Sequence, residues 1–117
     1  TWIDGSDQTT KTSYNSHISL LAANGGRLYI GFDNQAYGLN VWRTKDGVNT
    51  PSSGSDFEAV CQTGNTCSDP SKQFGFGSSS DTKIFDGISV NDAGTDYLIF
   101  TTRTGLDPMR IYRTTND

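Results

Sequence analysis

Short apolar stretches that alternate with polar positions recur along the chain, each closed by Gly, Asn or Asp. Ile18-Ser19-Leu20, Leu28-Tyr29-Ile30, Leu39 to Thr44, Ile88-Ser89-Val90, Leu98-Ile99-Phe100 and Met109 to Thr114 each read as a strand of about five to seven residues. Asn24-Gly25-Gly26 and Asp92-Ala93-Gly94-Thr95 supply residues that tolerate positive φ, as tight hairpin turns require. Wider hairpins are predicted across Asp33 to Gly38 and Arg103 to Pro108. After Lys45-Asp46-Gly47 the segment Asp56-Phe57-Glu58-Ala59-Val60 predicts one more strand.

These segments form a repeat. A shift of 70 positions lays Ile18-Ser19-Leu20 on Ile88-Ser89-Val90, Leu28-Tyr29-Ile30 on Leu98-Ile99-Phe100, and Leu39 to Thr44 on Met109 to Thr114. Three consecutive matches in one register predict two copies of one antiparallel meander. The first copy runs over about 16–60 and the second over about 84–117, with a connecting loop over 61–83. The second copy lacks a fourth strand of its own, and the aromatic segment Thr1-Trp2-Ile3-Asp4-Gly5 is expected to supply it. The fold expected is therefore all-β: two four-stranded antiparallel blades of a β-propeller, circularly permuted so that the N-terminal strand completes the last blade.

Leu28-Tyr29-Ile30-Gly31, then Gly38-Leu39-Asn40-Val41-Trp42-Arg43-Thr44-Lys45-Asp46-Gly47, an aromatic strand, and Phe74-Gly75-Phe76-Gly77 resemble the repeats of bacterial β-propeller proteins. Those blades read approximately L-Y-x-G-T, G-x-x-V-W-R-S-x-D-G, W, G-F-G. Thr44-Lys45-Asp46-Gly47 is also distantly similar to the Asp-box turn of sialidase-like propellers, without the residue usual between Asp and Gly, and the whole is distantly similar to propeller lectins. The resemblance is uneven, because the second copy carries Tyr112, Asn116 and Asp117 where the first has Trp42, Asp46 and Gly47. Two blades do not close a ring, so the expected partners are further copies of the chain or further blades of a longer one. A start at Thr1 fits a cleaved signal or a piece of a longer protein.

Composition narrows the chemistry. Thirteen Asp and Glu against nine scattered Lys and Arg give a net charge of −4, which disfavours a nucleic-acid partner. The longest apolar run, Ile18 to Ala23, is too short to span a bilayer, so no membrane insertion is expected. Cys61 and Cys67 bracket a Gly-Asn loop. With one His and no second cysteine pair, a short disulfide fits better than a zinc site, and it points to a secreted or cell-surface protein in an oxidising compartment.

Trp2, Tyr14, Tyr37, Trp42 and Tyr112 are the residues a sugar site would use, a ring stacking the C–H face of a pyranose while nearby Asp, Asn and Arg take its hydroxyls; Arg43 and Arg113 follow Trp42 and Tyr112 at equal repeat positions. The competing reading has Trp42, Tyr112 and Trp2 fill the space between blades. Asp4, Asp7, Asp33, Asp81, Asp92, Asp96 and Asp107 offer Ca²⁺ oxygens without the spacing of a calcium loop, and read as turn formers; no cofactor is expected. His17 has no nucleophile turn beside it, and Gly75-Phe76-Gly77-Ser78 has no Lys or helix to cradle phosphate. The loop from Gln62 to Ser80 is the expected place for a specific contact surface. A sialidase would need an arginine triad with a Tyr and Glu pair, but Glu58 is the single Glu. The expectation is a non-enzymatic extracellular binding or scaffold module, glycan recognition being its most concrete form and a purely structural or adhesive subunit the alternative.

Overall fold

The computed structural model describes residues 14–61, 67, 73–103 and 109–114. Among these residues seven strands form two antiparallel sheets. The first sheet is a meander of β1 (Asn15–Asn24), β2 (Arg27–Asn34), β3 (Asn40–Thr44) and β4 (Phe57–Val60); the second joins β5 (Lys83–Asp92), β6 (Thr95–Arg103) and β7 (Arg110–Thr114). Two-residue turns close the first hairpin of each sheet. Gly25 and Gly26 take φ of 55° and 74°, while Ala93 and Gly94 take 49° and 86°, so an alanine occupies a left-handed position in the second.

The two-blade propeller expected from the repeat is not what forms. The described residues make one sheet of four strands and one of three, with no closed barrel, and the two sheets pack face to face as a two-layer β structure. The segment Thr1 to Gly5, expected to complete the second sheet, lies outside the described residues. The physical difference lies at β4: Phe57 to Val60 pairs along β3 from Val41 to Thr44, whereas β7 pairs only with β6 among the described strands.

The repeat itself survives with one change of register. Tyr29 faces Arg43 as Ile99 faces Arg113, so the second and third strands keep the shift read from the sequence. In the first strands Ala22 faces Tyr29 and Ile88 faces Ile99, so Ile88 stands where Ala22 does, not Ile18. The β5–β6 hairpin extends further before it turns, which displaces the apparent sequence match. Both first strands carry an irregularity at the same place in this corrected register, at Ser19 and at Phe85.

Alternation gives each sheet one face to the core. Leu20, Tyr29 and Val41 from the first sheet meet Ile84, Leu98 and Phe100 from the second. Two glycines set the distance between the layers. A Cβ on Gly31 would collide with Ile84 Cδ1 and stand 2.8 Å from Leu20 Cβ, and one on Gly87 would lie 2.5 Å from Leu20 Cδ1. Ile84 therefore fills the space that Gly31 leaves open. Backbone bonds add a seam, Asn34 N–H to the Thr82 oxygen at 2.9 Å and Leu39 N–H to the Asp81 oxygen at 2.6 Å.

Gly31→Val should overpack this layer and lower stability by about 1–3 kcal/mol, read as a fall in the thermal midpoint. An unchanged midpoint would show that Gly31 does not set the sheet separation.

Candidate functional site

Residues adjacent along a strand point to opposite faces, and this decides the fate of the two aromatic–arginine pairs. Trp42 sits with Ile30 and Ala59 on the outer face of the first sheet, while Arg43 lies with Tyr29 and Glu58 on the inner one. Tyr112 shares the inner face of the second sheet with Phe100, and Arg113 the outer face with Ile99. Neither pair converges on one shelf.

Each of these side chains has an internal partner. Trp42 is buried, and its Nε1–H donates to Asn40 Oδ1 at 2.9 Å. Asn40 in turn donates from Nδ2 to Asn15 Oδ1 at 2.7 Å, which also accepts Asn34 Nδ2 at 3.0 Å, so the indole is anchored in a network of asparagines. Arg43 Nε donates to Glu58 Oε1 at 2.8 Å, and Arg27 Nη1 reaches the same oxygen at 2.9 Å. The Arg113 guanidinium lies over the Tyr97 ring at 5.0 Å. Tyr37 packs edge-on against Tyr14 and Phe74, with centroids 5.5 and 6.5 Å away. Trp2 lies outside the described residues.

Tyr112 belongs to a second connected group. Its hydroxyl donates to Asp81 Oδ2 at 2.7 Å, where Arg110 Nη1 also donates at 2.7 Å. Asp81 is fully buried, so its carboxylate is held where it must be paired. Burial first, then the hydrogen bond to Asp81, push the Tyr112 hydroxyl up from 10.0 to about 12. The ring stacks at 5.5 Å on Phe100 and lies 5.0 Å from Phe76.

Phe76 carries the largest departure from the sequence reading of the 62–80 loop. Gln62–Asn65, Thr66 and 68–72 lie outside the described residues, but Phe74–Gly77 turns inward as a short 3-10 element rather than outward as a contact loop. Phe74 and Phe76 are buried, and Gly75 N–H donates to the Leu39 oxygen at 2.7 Å. Phe76 takes φ of 48°, the left-handed region that a bulky residue rarely enters. A preceding Gly75 at φ 60° and the aromatic stack hold it there.

The aspartates considered for Ca²⁺ take separate positions. Asp33 Oδ1 accepts the Ile84 N–H at 3.2 Å, Asp81 binds Arg110 and Tyr112, and Asp96 accepts Asn91 Nδ2 at 2.7 Å. Asp92 ends β5, while Asp4, Asp7 and Asp107 lie outside the described residues. Among the described residues no three acidic, His or Cys side chains gather as a metal site. Asp46 is solvent-exposed, 3.7 Å from Arg27, and it is Asp56 that caps a turn, accepting Ser52 and Ser53 N–H at 2.7 and 2.9 Å. Those bonds lower the Asp56 carboxyl below its ordinary value. His17 is exposed beside Ser16.

A cavity of about 530 Å³ that composition did not reveal opens beside Gln35, Thr82, Lys83 and Arg103. Lys83 and Arg103 face each other directly across β5 and β6, and neither makes an ion pair with another described residue. Like charges placed opposite each other cost stability, so an anion between them would relieve repulsion. The disulfide joins Cys61 to Cys67 with Cα atoms 5.6 Å apart, and among the described residues no helix is long and apolar enough to cross a membrane. The disulfide is consistent with an oxidising, extracellular compartment.

Comparison with family models, with curated proteins and with solved structures gives no match.

Raising pH from 10 to 12 should destabilise the fold through Tyr112. The unfolded phenol ionises near 10 and the folded one at about 12, so the stabilisation present below pH 10 is lost across that window. A spectrophotometric tyrosine titration should show one late-ionising group that is absent from Tyr112→Phe. In Asp81→Asn it should move down while staying above 10, since burial remains; a titration unaltered by both changes would refute the assignment.

Proposed function

We propose that the chain is a non-enzymatic extracellular scaffold module that works through rigid β surfaces. The observation supporting this reading is the use made of the conspicuous side chains. Trp42, Arg43, Tyr112 and Arg113 are engaged in packing, ion pairing or ring contacts within the protein, while Ile18, Leu21, Ile88, Val90 and Ile111 stand exposed on the outward faces of the two sheets. A sugar shelf needs the reverse, open rings with free polar groups beside them.

A second reading is favoured by the cavity at Lys83 and Arg103, two cations without an ion pair among the described residues that suit a carboxylate or sulfate group. In this form the module recognises an acidic saccharide at that groove rather than a neutral one on the repeated aromatics. The net charge of −4 makes a local cationic pair a selective feature and not a general one.

The scaffold reading predicts that Trp42→Ala lowers stability by about 3 kcal/mol or more. Loss of saturable glycan binding at an unchanged melting temperature would instead make Trp42 a recognition residue and end this reading. For the acidic-saccharide form, calorimetric titration with a uronate oligosaccharide should give saturable heat that is lost in Lys83→Gln/Arg103→Gln and weakens with added salt. Equal heats from wild type and the double variant would dismiss the groove.

A further inference from the structure

Five of the exposed large hydrophobics among the described residues form two groups, one on each outer face of the two-layer stack. Ile18 and Leu21, about two-thirds exposed, lie on the outer face of the first sheet, with Ile30 and Phe32 across from them on β2. Ile88, Val90 and Ile111 lie on the outer face of the second sheet, joined there by Ile99 and Tyr97. Exposed apolar area of this kind on both outer faces is unusual for a protein whose surface is otherwise polar.

The repeat says what each face is. In the corrected register Ile88, Ile99 and Ile111 are the counterparts of Ala22, Tyr29 and Val41, which form the first sheet's inner face. On the other side Ile18, Leu21 and Ile30 are the counterparts of Ile84, Gly87 and Phe100, the second sheet's inner face. Those two inner faces already mate within the chain, Ile84 entering the space above Gly31 and Leu20 the space above Gly87. The chain therefore holds one completed interface and both unmated halves of another of the same design.

We propose that a second copy of this chain docks head to tail, the outer face of its first sheet covering the outer face of the second sheet here. The proposal rests on the scaffold reading and specifies its partner. Ile18, the counterpart of the inserted Ile84, is the projecting residue, and Ile99 and Ile111 form the surface that receives it. Thr101 stands where Gly31 stands in the first copy, so the receiving surface is shallower and the contact between chains is weaker than the one within the chain. A contact of this heterologous kind leaves one face free at each end. It propagates, either closing as a ring or extending as a filament.

The test uses two variants of the full chain, Ile18→Lys/Leu21→Lys on one face and Ile88→Lys/Ile111→Lys on the other, with mass followed by sedimentation or light scattering over a concentration series. Wild type should grow beyond a dimer as concentration rises. Each variant alone should be monomeric, and their equimolar mixture should form a dimer and nothing larger, because one intact interface remains. Should a lysine pair fail to fold, Leu21→Ser and Ile111→Ser carry the same comparison. A monomeric wild type overturns the proposal, as does a dimer retained by the first variant and lost in the second with no rescue on mixing, which indicates two-fold pairing. The scaffold reading fails separately, by glycan binding lost in Trp42→Ala at unchanged stability.

Discussion

Asp81 is fully buried, its Oδ2 receiving both Arg110 Nη1 and Tyr112 Oη while its backbone oxygen receives the Leu39 N–H. One residue thus ties the third strand of the second sheet to the turn that launches the third strand of the first. A carboxylate withdrawn from water is tolerated only with such partners, and removing one would leave a charge with nowhere to discharge its field. The aromatic stack at Tyr112 and the backbone seam at Leu39 meet at this group. Hydrophobic burial holds the layers together, but it does not by itself select one angular placement of β7 over another. The directional bonds of Asp81 do.

Two copies of one strand pattern meet different surroundings, and their residues change role accordingly. Trp42 is buried on the outer side of its sheet and hydrogen-bonded to Asn40, whereas its counterpart Tyr112 faces the core and donates to Asp81. Val41 is fully buried, and its counterpart Ile111 is among the most exposed hydrophobics. Similar strand patterns therefore yield one face that is finished and one that is open. The neighbouring layer differs, and so do single residues: Arg110, which binds Asp81, stands where Asn40 anchors Trp42.

Much of this was legible in the sequence. Alternation located β1, β2, β3, β5, β6 and β7, the Asn-Gly-Gly and Asp-Ala-Gly clusters marked both tight turns, and Phe57 to Val60 was recognisable as the fourth strand of the first sheet. The likeness of Ile18-Ser19-Leu20 to Ile88-Ser89-Val90 misled, since hairpin length and not residue similarity fixes the register of a first strand. Extrapolating two equal four-stranded units failed at the second sheet, where β7 has no described strand on its far side. The period of two already implied that Trp42 and Arg43 cannot share a face, a signal that equal repeat spacing obscured. Asp81 read as one turn former among many because its partners, Arg110 and Tyr112, are far away in the chain. Phe74 and Phe76 lay in a glycine-flanked stretch with no periodicity to announce burial.

Phe76 also bears on how the molecule comes together. Its backbone occupies a region that a phenylalanine in isolation avoids, and what holds it there is contact with Phe100 and Tyr112 from one sheet beside a hydrogen bond from Gly75 to Leu39 of the other. The segment has no reason to adopt this shape until both layers are present, and the layers have an unfilled gap until it does. The segment and the two layers thus depend on one another for their packing, and the glycine-flanked turn belongs to the core as much as the strands do.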